Sequence, residues 1–252
     1  MRRFLAAMRF LTVIPFPGSW GAEESSLAGS AVFFPAVGLL IGLLAAGIAA
    51  CAVRWLPAGL AAALVVVALL AVSGGLHMDG LSDTADGLLS ARPRERALEI
   101  MRDSHVGAMG VIAIVCVLLL KFAAVASLPA AGLWRTALLM PVAGRVALVV
   151  TVALLPYARP EGGLAAPFYR GRSMLAALSA EAILLLTAWL VLDIAGLIAA
   201  CASLAAVLIF AVYTCRRIGG ATGDTLGATC EIAELVPAMA MAAWYFHAGG
   251  NP

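Results

Sequence analysis

Long apolar runs separated by short polar segments dominate the chain. Seven of them, at 30–53, 57–76, 107–127, 133–155, 174–192, 194–214 and 226–248, approach the length of about 20 residues that a helix needs to cross a bilayer. None has the period-2 alternation of a transmembrane strand, and backbone groups in hydrocarbon find no water, so each run is expected to be an α-helix. The pattern predicts an all-α, polytopic integral membrane helix bundle of about seven transmembrane helices, folded as one membrane-embedded domain over 1–252. Residues 1–29 precede the first run. Their opening, MRRFLAAMRFLTVIP, starts basic and turns apolar, but the apolar stretch is short and no small-residue cleavage site follows. An amphipathic interfacial helix is expected there.

Composition agrees with a membrane protein: 63% of residues are hydrophobic and 12% charged, and the mean hydropathy is +1.04. A net charge of +2 leaves no case for a nucleic-acid partner. Five cysteines, at 51, 116, 201, 215 and 230, are odd in number and widely spaced, which argues against a disulfide framework or a zinc site and for small core hydrophobes. Arginine distribution carries topology. Counting Lys and Arg from the N-terminus through successive connections gives three, one, four, one, three, none, two and none. By the positive-inside rule the N-terminus is then cytoplasmic and the chain is multi-pass in the cytoplasmic (inner) membrane. Both acidic segments described next fall on the cytoplasmic side.

Asp79, Asp83 and Asp86 stand in GGLHMDGLSDTADGLLS, directly after the second apolar run. At steps of four and seven they fall within roughly 60° on one helical face. Carboxylates so close repel one another unless a cation holds them ionised, and hard oxygens without thiolate partners favour magnesium or manganese over zinc. A solvated surface helix is the competing reading. His77 lies opposite the aspartates on the same wheel, so it is a poor co-ligand but a possible substrate contact. The region 77–106 continues through ARPRERALEIMRDSHVG and reads as two short helices near the membrane surface. In it Asp103 offers another metal oxygen and Arg102 or His105 a phosphate contact, with helix capping by Asp103 or Ser104 as the alternative.

A second acidic segment, GGATGDTLGATCEIAEL, holds Asp224, Glu231 and Glu234, the last two where an apolar run begins. Carboxylates entering a membrane are functional candidates by default. GGLHMD and GGATGD share the spacing GGxxxD, a short echo that a parallel repeat or chance would produce. No nucleotide-binding glycine fingerprint is present. Lys121, Arg145 and Glu181 lie deep in apolar runs. Arg145 suits a pyrophosphate, while Lys121 and Glu181 could form a structural pair. The loop PYARPEGGLAAPFYRGR at 156–172 reads as a connector more readily than a lid.

Taken together, RFLTVIPFP, GGLHMDGLSDTADGLL, MRDSHVGAMGV and GGATGDTLGATCEIAEL resemble the motifs of the cobalamin synthase (adenosylcobinamide-GDP ribazoletransferase) family over about residues 4 to 245. His105 departs, standing where an arginine would be equally expected. The resemblance implies a magnesium-dependent enzyme with one or two ions. In it, the ribose 3′-hydroxyl of α-ribazole, or of its 5′-phosphate, attacks the phosphate on the aminopropanol arm of adenosylcobinamide-GDP. GMP leaves, and adenosylcobalamin or its 5′-phosphate forms. On this footing Asp79, Asp83, Asp86, Asp103 and Asp224 are the expected metal ligands, and Asp224 or Glu231 the base. His77, Arg102, Ser104, His105, Arg145, Thr222 and Glu234 are the expected substrate contacts. The lipid bilayer and a second copy of the chain are compatible partners. Membrane CDP-alcohol phosphotransferases share this chemistry, but their AR pair and aspartate spacing are absent here. The rival from another class is a cation-coupled transporter using Lys121, Arg145 and Glu181.

Overall fold

A computed structural model describes residues 1–16, 24–159 and 161–249. The helices are α1 (Arg2–Leu11), α2 (Glu24–Leu27), α3 (Phe34–Trp55), α4 (Ala58–Val72), α5 (Leu76–Leu88), α6 (Arg94–Ile100), α7 (Ala108–Ala126), α8 (Ala130–Leu154), α9 (Ala166–Arg170), α10 (Met174–Ile218) and α11 (Gly223–His247). Among the described residues no strand forms, and the all-α expectation holds. Five helices are long and apolar enough to cross a membrane, or six if the bent pair α4 and α5 is one span.

α10 accounts for two of the seven runs. At 45 residues a straight helix would be about 68 Å long, twice a bilayer. Asp193 breaks it, with φ 55° and ψ −141°. Beyond this residue the chain doubles back: the backbone of Gly196 lies against the Ala188 carbonyl, residues that a continuous helix would hold about 12 Å apart. Glu181 and Leu184 of one arm share a small cavity with Ser203, Leu204 and Val207 of the other. Residues equidistant from the break therefore face each other, as an antiparallel hairpin requires.

α8 is the central post. It is buried along most of its length and packs against α3, α10 and α11. α7 has the opposite character, with Val111, Ile112, Val115, Leu119 and Leu120 all exposed. A helix whose outer face is apolar is at home in lipid, where packing rather than water exclusion drives association. Cys51, Cys116, Cys201 and Cys215 also lie on that outer surface, and only Cys230 is buried. The expectation of core cysteines is corrected for four of the five, because an apolar run has both a lipid-facing and a core-facing side. α1 is amphipathic as expected, burying Ala6, Ala7, Met8 and Leu11 while Arg2, Arg3 and Arg9 face outward.

α4 ends after 15 residues and the chain turns by 86° into α5. The turn needs two left-handed residues in succession, Gly74 at φ 61° and Gly75 at φ 75°, which glycine adopts without a Cβ clash. We read α4 as the crossing segment and α5 as a helix laid across its end. α6 follows on the same end, so the two short helices foreseen for 77–106 are present.

Candidate active site

Two glycines bring the acidic segments together. α5 and α11 cross where Gly80 meets Gly227: a methyl group on Gly80 would stand 2.7 Å from the Asp224 carbonyl oxygen and 3.1 Å from the Gly227 Cα. On Gly227 it would stand 3.0 Å from the His77 carbonyl oxygen. Only hydrogen fits on either side, and this contact sets Asp79 and Asp224 on the walls of one cavity. Each of these aspartates occupies the first turn of its helix, where the dipole favours a negative charge. Gly80→Ala is expected to push the helices apart, cost about 1–3 kcal/mol of stability, and lower catalytic turnover by about 10–100-fold through misplacement of the carboxylates. Initial rates beside thermal unfolding in detergent check it; full turnover in the variant would show that the close crossing is dispensable.

Asp83 carries the electrostatic signature of the cluster. Burial first, then Asp79, Asp224 and Asp86, push its carboxyl from 3.8 up to about 7, against the pull of Arg159. A native pKa above the unfolded one stabilises the fold fully below about pH 4, and that contribution is lost as pH rises to about 7. The thermal midpoint of the metal-free protein in detergent should therefore fall across this window, and Asp83→Asn should flatten the fall. An unchanged slope in the variant would assign the pH dependence elsewhere.

Asp86 has a different occupation. It accepts hydrogen bonds from the backbone N–H groups of Gly107 (2.8 Å) and Gly110 (2.9 Å), capping α7. Among the described residues no three His, Cys, Asp or Glu side chains are grouped so that they could hold a metal ion by themselves. The open acidic wall consists of Asp79 and Asp224, with Asp83 beside them.

The loop after α8 forms the facing wall, which corrects its reading as a connector. Ala158 N–H donates to the Ala221 carbonyl at 2.8 Å, and Ala221 N–H to that of Pro156 at 2.9 Å. This stitch joins the loop to the second acidic segment and places Arg159, whose Nη2 donates to Asp224 Oδ2 at 2.7 Å. Sequence reasoning used Arg159 only as a topology charge. Tyr157, Leu164, Ala165 and Phe168 line the same cavity, of about 140 Å³, with Phe10, Phe34 and Leu148. Burial holds the Tyr157 phenol above its usual pKa, keeping it a neutral donor.

Beneath the cavity lies a neutral quartet. Lys121 Nζ donates to Glu231 and to Glu234, both at 2.7 Å, and Arg145 Nη1 pairs with Glu234. All four are almost inaccessible. The pairing of Lys121 with Glu181 is therefore corrected: Lys121 projects toward α11, whereas Glu181 lies in the α10 hairpin with Oε1 unpartnered among the described residues. Arg145, expected on a pyrophosphate, sits midway along α8 and is closed onto Glu234. Glu231 and Glu234 are likewise engaged inside the bundle. His77 is buried and lines the cavity, with Nε2 unpartnered among the described residues, and α5 runs unbroken from Leu76.

The remaining candidates lie at the rim or serve local structure. Thr222 caps α11 through a reciprocal box with Thr225, and its hydroxyl donates to Asp224 at 3.3 Å. Arg102 is exposed and pairs with Glu161, joining the α6–α7 turn to the loop wall. Asp103, Ser104 and His105 are exposed in that turn; Asp103 accepts from the His105 backbone at 3.0 Å and contacts its ring at 2.6 Å.

A family model described as cobalamin-5-phosphate synthase matches residues 3–242. The adenosylcobinamide-GDP ribazoletransferase of Acetivibrio thermocellus is 39% identical over 232 residues, covering 92% of this chain and 94% of its own. That of Geotalea daltonii is 38% identical over 250 residues, with 96% and 98% covered. The Roseiflexus protein of the same name is 41% identical, with 91% and 85% covered. No solved structure matches. Matching across nearly the whole length, acidic segments included, places the chain in the cobalamin-5-phosphate synthase family.

Proposed function

We propose that the chain is a membrane-embedded, magnesium-dependent adenosylcobinamide-GDP ribazoletransferase. The observation that carries this reading is the convergence of Asp79, Asp224 and Arg159 on one cavity. The names of the relatives supply the donor. α-Ribazole or its 5′-phosphate is the acceptor.

Magnesium fits this donor set. It binds through one or two carboxylates plus substrate phosphates rather than in an all-protein cage, and of the causes that raise the Asp83 carboxyl, burial first and then neighbouring carboxylates, a cation would relieve the second. Asp79 and Asp83, one turn apart on α5, would hold it. Bound there, it would neutralise charge developing on the pyrophosphate. Asp224 is the candidate base: it lines the cavity, with Oδ2 held by Arg159, whereas Glu231 lies outside the lining and is closed onto Lys121. The 3′-hydroxyl oxygen forms a bond to the phosphorus on the aminopropanol arm, its proton passes to the carboxylate, and the bond to GMP breaks. Arg159 contributes a guanidinium suited to a phosphate oxygen. The alternating arginine count supports an inner-membrane protein whose site faces the cytoplasm, where nucleotides and magnesium are available. A cation-coupled transporter finds no support, since Lys121 and Arg145 are closed onto α11 carboxylates instead of lining a path.

Detergent-purified protein given adenosylcobinamide-GDP and α-ribazole should release GMP only with both acceptor and magnesium present. Release without acceptor would mean simple hydrolysis, and none from folded protein would refute the assignment.

A further inference from the structure

One cavity has two chemically unlike ends. The acidic and basic groups Asp79, Asp224 and Arg159 stand at one. At the other, Phe168 of α9 lies edge-on to Phe10 of α1 and to Phe34 of α3, with ring centroids 4.7 and 5.2 Å apart, and Phe10 and Phe34 stack at 6.1 Å. Leu148 and Leu164 complete this apolar wall. Two polar atoms in the lining, His77 Nε2 and Tyr157 Oη, are buried without a partner among the described residues. Unsatisfied buried groups of this kind are costly unless a ligand completes them.

We propose that the aromatic end is the acceptor subsite, with Phe10, Phe34 and Phe168 receiving the benzimidazole base of α-ribazole, and His77 and Tyr157 completing hydrogen bonds to its ribose or ring nitrogen. This rests on the transferase reading given above. The volume of about 140 Å³ is right for an aromatic ring and far too small for a corrinoid: dry cavities of about 150 Å³ accept benzene. The donor must therefore approach from outside, with its pyrophosphate alone reaching the acids. The other flat base in the reaction is the donor's guanine. Guanine presents donors and acceptors around its whole edge, and against phenylalanine and leucine these would be left unpaired. The benzo edge of a benzimidazole is hydrocarbon and loses nothing there, and its single free ring nitrogen is the atom left for His77 or Tyr157. With the base on the aromatics, the ribose and its hydroxyl extend out of this ring-sized cavity on the side of Asp224.

The test is a kinetic comparison of acceptors bearing benzimidazole or adenine bases, using wild type, Phe10→Leu and Leu164→Trp. Leu164 is 66% exposed on the loop, so its substitution does not disturb the core. Narrowing the cavity with Leu164→Trp should raise the acceptor KM about tenfold, within the range that one small group commands in an apolar pocket. The donor KM and the kcat at saturating acceptor should stay within about threefold. Phe10→Leu removes a stacking ring but keeps the wall apolar, so it should raise the KM of both acceptors by a similar factor and leave the preference for benzimidazole over adenine in place. A rise in donor KM with acceptor KM unchanged would assign the cavity to guanine and overturn the proposal. Active variants with neither constant altered would remove the cavity from substrate binding. Wild type that releases no GMP at all would fail the transferase reading itself, and the subsite with it.

Discussion

Asp83→Asn is expected to lower GMP release by about 10³-fold, close to 4 kcal/mol of transition-state stabilisation, while leaving the protein folded. The substitution keeps the shape of the side chain and removes one negative charge from a group already crowded by Asp79, Asp224 and Asp86. Loss of that charge relieves repulsion in the metal-free protein, so thermal stability should hold or rise. In the presence of magnesium the relation should invert, with the wild type gaining more from the ion than the variant. Steady-state rates and thermal unfolding, each with and without magnesium, measure both arms. A variant keeping more than a tenth of wild-type activity would move the metal away from this stripe.

Lys121→Met is expected to have the largest effect on folding. Lys121 is the shared counter-ion of Glu231 and Glu234. Removing it leaves two buried carboxylates with the single charge of Arg145, and breaking a buried pair in this way costs about 3–5 kcal/mol. Lys121→Met with Glu231→Gln restores neutrality, because Arg145 and Glu234 remain as a matched pair. The double variant should therefore recover a large part of the loss. Thermal unfolding in detergent separates the two cases. A double variant no better than the single would show that packing of the lysine stem, and not charge balance, is the source of the loss.

The parts of the site that could be read from sequence are those held within one helix. Asp79 and Asp83 share α5, and their spacing alone placed them on one side, together with Asp86, which instead caps α7. That the second acidic segment lies at the same end followed from the arginine alternation, but the meeting of Asp79 with Asp224 depends on Gly80 and Gly227, whose role is apparent only once the helices cross. The aromatic wall is drawn from α1, α3 and α9, and no spacing links Phe10, Phe34 and Phe168. Arg159 was hidden for a similar reason, since a loop arginine looks the same whether it faces water or a carboxylate. Hydropathy marked Lys121, Arg145 and Glu181 as unusual but did not choose their partners. α10 was resolved into two arms by sequence because Asp193 interrupts its apolar run, the same residue at which the backbone breaks.

The neutral quartet also bears on how the protein is made. α11 has a mean hydropathy of 1.3, the lowest of the candidate spans, and brings Glu231 and Glu234 into the membrane with it. A charged side chain at mid-bilayer costs about 2.5–3.5 kcal/mol on insertion scales, so this segment is a poor entrant on its own. Synthesis runs from the N-terminus, and α7 and α8 have already delivered Lys121 and Arg145 when α11 emerges. The two cations thus act as a receptor within the bilayer for α11, and assembly of the catalytic end waits until that later segment has been translated.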